Sequence, residues 1–135
     1  MTHENRPESF FDGPSAASRE EVWKWWERRR FRYNRDIFLV GVATCVLIIT
    51  AGSEAVEPGE DFVEPVMLLL GPVLYGIFAN IGFTLGPVYD IVFYRGGPRK
   101  NLFKAGYLFS LLLTAVPGAW AVVACLTALI TGAKL

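Results

Sequence analysis

Pro65-Val-Met-Leu-Leu-Leu-Gly-Pro-Val-Leu-Tyr-Gly-Ile-Phe-Ala-Asn80-Ile-Gly-Phe-Thr-Leu-Gly86 contains no Asp, Glu, Lys or Arg. An α-helix rises about 1.5 Å per residue, and roughly 20 apolar residues cross about 30 Å of hydrocarbon, so this stretch is long enough to span a bilayer. Working outward from it, two more uncharged stretches read the same way, which places spans at about 36–52, 65–86 and 105–131. Composition agrees: 53% of the 135 residues are hydrophobic and 19% charged, too apolar a balance for a soluble domain of this size. The first span is short and borrows length from Tyr33 to Asp36, with Arg35 snorkelling towards headgroups. Gly86-Pro87 predicts a kink that ends the second span near the membrane surface, and Pro117-Gly118 predicts an interruption near the middle of the third.

The formal net charge is zero, yet the charges are segregated. Lys and Arg near span ends mark the cytoplasmic side. Arg19, Lys24, Arg28, Arg29, Arg30, Arg32 and Arg35 precede the first span, and Arg95, Arg99, Lys100 and Lys104 lie between the second and third. The intervening loop carries Glu54, Glu57, Glu60, Asp61 and Glu64 and no basic residue. The expected topology is multi-pass, with a cytoplasmic N-terminus and a periplasmic or extracellular C-terminus. Ala51-Gly52-Ser53 would pass as a signal-peptide cleavage site, but the apolar run begins only after a long charged region.

Residues 1–17 mix polar residues with Pro7, Gly13 and Pro14 and show no periodicity, which predicts a flexible N-terminus. Ser18 and Glu21 are spaced as a capping box and open an amphipathic aromatic and basic helix over 18–35. Trp23, Trp26, Arg28, Arg29 and Arg30 are its expected interfacial residues, suited to headgroup depth and to anionic lipid. The fold class is therefore an all-α membrane protein. Three transmembrane helices, within a region at 36–135, follow a cytoplasmic interfacial helix.

In lipid, helices associate through close packing of small residues. Ser110, Thr114, Gly118, Ala121, Cys125, Ala128 and Gly132 form such a stripe on the third span, and Gly76, Ala79, Gly82 and Gly86 form one on the second. Among polar residues within or close to the spans, Asn80 is expected to bond between helices, and Asp90 to pair with Arg95, Lys100 or Lys104 near the surface. A proton- or ion-coupled site at Asp90 is the alternative. Cys45 and Cys125 lie in apolar stretches and read as packing residues, and the single histidine, His3, supports no metal cluster. No paired nucleophile and base, metal motif or phosphate-cradling loop is present, so no catalytic activity, cofactor or metal is expected, nor a nucleic-acid partner.

The run Trp26-Glu-Arg-Arg-Arg-Phe-Arg-Tyr-Asn34 entering a span, followed by Ala79-Asn-Ile-Gly-Phe-Thr-Leu-Gly-Pro87, resembles small uncharacterised bacterial inner-membrane proteins. The resemblance implies a bacterial cytoplasmic membrane and carries no activity. The expected function is an accessory or interaction partner of a larger membrane complex, or an immunity-type protein that recognises a membrane-acting toxin. A homo-oligomeric small channel or transporter, with Asn80 and Asp90 on its path, is the alternative. Partners would be anionic lipid together with a membrane protein or further copies of the chain.

Overall fold

A computed structural model describes residues 9–133. His3 and the rest of residues 1–8 lie outside the described residues, as does Lys134. The described chain is all helical: α1 (Arg19–Leu47), a π-helical turn (Ile48–Gly52), α2 (Ser53–Ala55), α3 (Pro65–Val92) and α4 (Lys100–Thr131). Three helical stretches are long and apolar enough to cross a membrane: Arg19–Ala55, Pro65–Val92 and Lys100–Thr131.

Residues 18–35 do not make a helix of their own. The capping box forms as expected: the Ser18 amide donates to the Glu21 carboxylate at 2.6 Å, and the Glu21 amide to the Ser18 hydroxyl at 3.3 Å. From there α1 runs without a break into the first apolar stretch, because residues 19–47 contain no proline and one glycine, Gly41. Its buried face is continuous too. Val22, Trp26, Tyr33, Ile37, Thr44, Ile48 and Ala55 are all buried, stepping alternately by four and seven along the chain. That is the spacing of a seam between helices packed side by side.

The seam's main partner is α4, with α3 against one end of it. Trp26 meets Phe103, Tyr33 bonds Ser110, and Thr44 bonds the Thr114 carbonyl, so α1 and α4 run parallel. Trp26 bonds Asp90, Arg30 bonds Thr84 and Asn34 bonds Asn80, so α3 runs antiparallel to both. The end carrying Arg19, Arg95 and Arg99 is here termed the basic end, and the end with the 53–64 loop the acidic end.

Neither proline expected to interrupt a span, Pro87 or Pro117, stops its helix. α3 continues through Pro87 to Val92, and α4 is unbroken through Pro117. A helix held by neighbours tolerates one missing amide when the freed groups sit in a packed or polar setting. Pro87 is fully buried, and near Pro117 the Thr114 hydroxyl lies 2.6 Å from the Ser110 carbonyl and 2.9 Å from the Tyr75 hydroxyl. Gly132, part of the expected stripe, instead ends α4 in the left-handed conformation at φ 69°, its amide bonded to the Ala128 carbonyl.

Candidate functional site

Two kinds of packing divide the bundle. Towards the acidic end, contact is backbone-close: a Cβ at Gly118 would lie 3.1 Å from the Thr44 Cα, and Ala121, Ala124 and Ala128 are buried. Towards the basic end, large rings fill the space. Trp25, Trp26, Tyr33, Phe83 and Phe103 form one buried cluster with Val22 and Ile37. Trp25, Trp26 and Phe103 meet edge to face at centroid distances of 5.2 to 5.6 Å.

Asp90 anchors this end. It is 2% exposed, where the sequence reading places it near the surface beside Arg95, Lys100 and Lys104. Its Oδ2 accepts from the Trp26 indole at 2.9 Å and from the Arg99 amide at 3.0 Å. Its Oδ1 lies 3.3 Å from Arg99 Nε as an ion pair and has no hydrogen-bond partner. One carboxylate thus joins α1, α3 and the start of α4. Its partner is Arg99, whose guanidinium also bonds the Phe93 carbonyl and covers the Tyr89 ring.

Trp26, expected at headgroup depth, is 3% exposed inside the bundle, because a buried indole needs an acceptor and Asp90 supplies one. Trp23 and Arg28 face outward. Arg29 and Arg30 turn towards the protein. Arg29 bonds the Phe10 carbonyl and lies 4.1 Å from the Trp25 ring centroid, while Arg30 pairs with Glu27 at 2.8 Å and lies over Phe83. Residues 10–12, within the segment expected to be flexible, pack on this end: Phe10 lies 5.2 Å from Phe103 and 5.3 Å from Tyr107, and the Asp12 carbonyl accepts from the Trp25 indole. The Ser9 amide donates to the Asp12 carboxylate at 2.9 Å and holds its pKa below the usual value. A non-periodic sequence hides this segment, because its order comes from tertiary contacts alone.

Asn80 bonds between helices, accepting from Asn34 at 3.1 Å and donating to its own Gly76 carbonyl. Further polar links are Asp36 with Tyr107 at 2.7 Å and Tyr75 with the Ser110 carbonyl at 2.8 Å. The glycines of Gly82-x-x-x-Gly86 part company. A Cβ at Gly86 would come within 2.5 Å of the Trp26 ring, whereas one at Gly82 would meet nothing within 4 Å.

Gly82 instead opens on a crevice of about 460 Å³ between α3 and α4, the two long helices that touch each other least. Trp26, Tyr33, Phe83 and Phe103 form its floor, and Arg99 and Leu102 line its basic end. Arg99 and Leu102 also line a second hollow of about 520 Å³ with Arg95 and Lys100, so apolar and basic spaces adjoin. Among the described residues no group of three His, Cys, Asp or Glu side chains could hold a metal ion. Phe10, Asn34, Arg99 and Tyr107 are the site residues that sequence reasoning misses. Comparison with protein-family models, with curated proteins and with solved structures finds no match.

Proposed function

We propose that this chain is a small, non-catalytic accessory protein of a bacterial inner membrane, docking through α3 onto a larger membrane complex. The observation that carries the reading is how little of α3 its own bundle uses. Only 6% of its most apolar window is buried, against 22% for α4. Val66, Met67, Leu69, Leu70, Val73 and Leu74 are all exposed, and a Cβ at Gly71 or Gly76 would meet nothing within 4 Å. Lipid tails are as apolar as leucine, so this exposure is no liability in a bilayer. Glycines without a neighbour, however, leave room for a second helix to approach closely. The basic flanks support a cytoplasmic basic end and an external acidic end. The resemblance to small bacterial inner-membrane proteins supports the choice of membrane.

The test is affinity purification of the full chain in mild detergent, alongside Gly71→Phe/Gly76→Phe and an Ile130→Ala control on exposed α4 surface. A stoichiometric membrane protein retained by wild type and control but lost in the double variant is the expected result. A closed ring of identical chains would replace the accessory reading with a channel or transporter.

A further inference from the structure

We infer that the crevice between α3 and α4 binds one anionic phospholipid, with an acyl chain against Gly82, Gly86 and Gly106 and its phosphate at Arg95 and Lys100. The shape supports a chain rather than a helix. At about 30 Å³ for a group the size of a water molecule, 460 Å³ holds roughly fifteen methylenes. A helix about 10 Å across would use up that volume in about one turn. Glycine walls and a floor of aromatic rings give a long chain a smooth apolar bed.

Charge fixes the direction and the class. Apolar contact alone selects no lipid, since a chain leaving the bilayer for the crevice exchanges one apolar setting for another. Selection falls to the headgroup, where each Lys or Arg near a membrane surface favours anionic lipid by about fivefold. The basic hollow adjoins the crevice through Arg99 and Leu102. Arg99 is committed to Asp90 and to the Phe93 carbonyl. The Arg95 and Lys100 side chains make no ion pair or hydrogen bond among the described residues. Asp12 is near enough to feel the charge of Lys100 but does not pair with it. Two cations without a partner among the described residues, beside an apolar slot, match a phosphate beside an acyl chain. The inference is independent of any partner helix on the outer half of α3, and symmetric vesicles make its test independent of orientation.

The experiment uses the full chain carrying Trp23→Phe and Trp120→Phe, reconstituted in phosphatidylcholine vesicles. These substitutions remove the two exposed indoles and leave Trp26 in the crevice and the buried Trp25. Phosphatidylglycerol or phosphatidylcholine with brominated acyl chains is titrated in, and quenching of tryptophan fluorescence is followed. Half-maximal quenching is expected at a mole fraction at least fivefold lower for the anionic lipid. Arg95→Gln/Lys100→Gln should remove that difference. Gly106→Leu should abolish saturable quenching by either lipid; its side chain enters open space, so the thermal melt should not move. Equal quenching by the two headgroups, or quenching that survives Gly106→Leu, overturns the inference. So does a Trp26 that no brominated lipid reaches while cross-linking traps a dimer, which would put a second copy in the crevice.

Discussion

At the scale of single residues, Asp90 carries the sharpest consequence. A buried carboxylate with two donors and a cation is costly to unmake, because each partner is left behind in a poorly solvated place. Asp90→Asn keeps an acceptor for the Trp26 indole but removes the charge facing Arg99, and a loss of about 1 to 3 kcal/mol is expected. Asp90→Leu orphans the indole and the Arg99 amide together and should lose about 3 to 5 kcal/mol. Trp26→Phe added to Asp90→Leu should recover part of that loss. Thermal melts in detergent measure all three, and an Asp90→Leu protein as stable as wild type would refute the anchoring role. The sequence shows a carboxylate among cations, and from charge alone the surface is the reasonable place for it. What it hides is Trp26, 64 positions away, whose need for an acceptor only the fold reveals.

Among the helices, Gly82, Gly86, Gly106 and Gly118 divide into two kinds, and substitution should sort them. Gly118 faces backbone: a Cβ there would sit 3.1 Å from the Thr44 Cα, which cannot swing aside. Gly118→Leu is therefore expected to lose about 1 to 3 kcal/mol or to stop folding, and Gly86→Leu to displace Trp26 with a similar loss. Gly82→Leu and Gly106→Leu enter open space and should be near neutral in a detergent melt. If Gly82→Leu proved as damaging as Gly118→Leu, the division would be wrong. Helix ends were partly legible. The expected limit at 131 coincides with the end of α4, while the first helical stretch runs past 52 to Ala55, and 86 and 105 do not mark the end of α3 or the start of α4. Local rules for proline and charge point to boundaries there, but neighbouring helices supply the packing that carries the chain past them. The division drawn between 35 and 36 fails for a related reason: hydropathy changes at that point, but the seam spacing from Val22 to Ala55 does not. Reading the period instead of the hydropathy would have joined the two parts.

For the molecule as a whole, crossing number and direction are open to a simple test. With Cys45 and Cys125 replaced by alanine, single cysteines at Glu60, in the loop between α2 and α3, and at Asn101, in the first turn of α4, occupy exposed positions at opposite ends of the bundle. An impermeant thiol reagent added to intact cells is expected to label the first and spare the second. Labelling of both from outside would rule out the three-span arrangement. The three helices long and apolar enough to cross a membrane were legible because that property depends on hydropathy and length. The pairing of α1 with α4 was not, since nothing local says which helices become neighbours.

That pairing sets an order of events during synthesis. Phe10, Phe11 and Trp25 find aromatic partners in Phe103 and Tyr107, so this part of the assembly waits for α4, made after it. A ribosome halted after α3 would hold a chain with both of its first two long helices made and their shared aromatic box still open. Only with α4 in place do Phe10 and Phe11 have the rings they pack against, so their docking is a timestamp of α4's arrival.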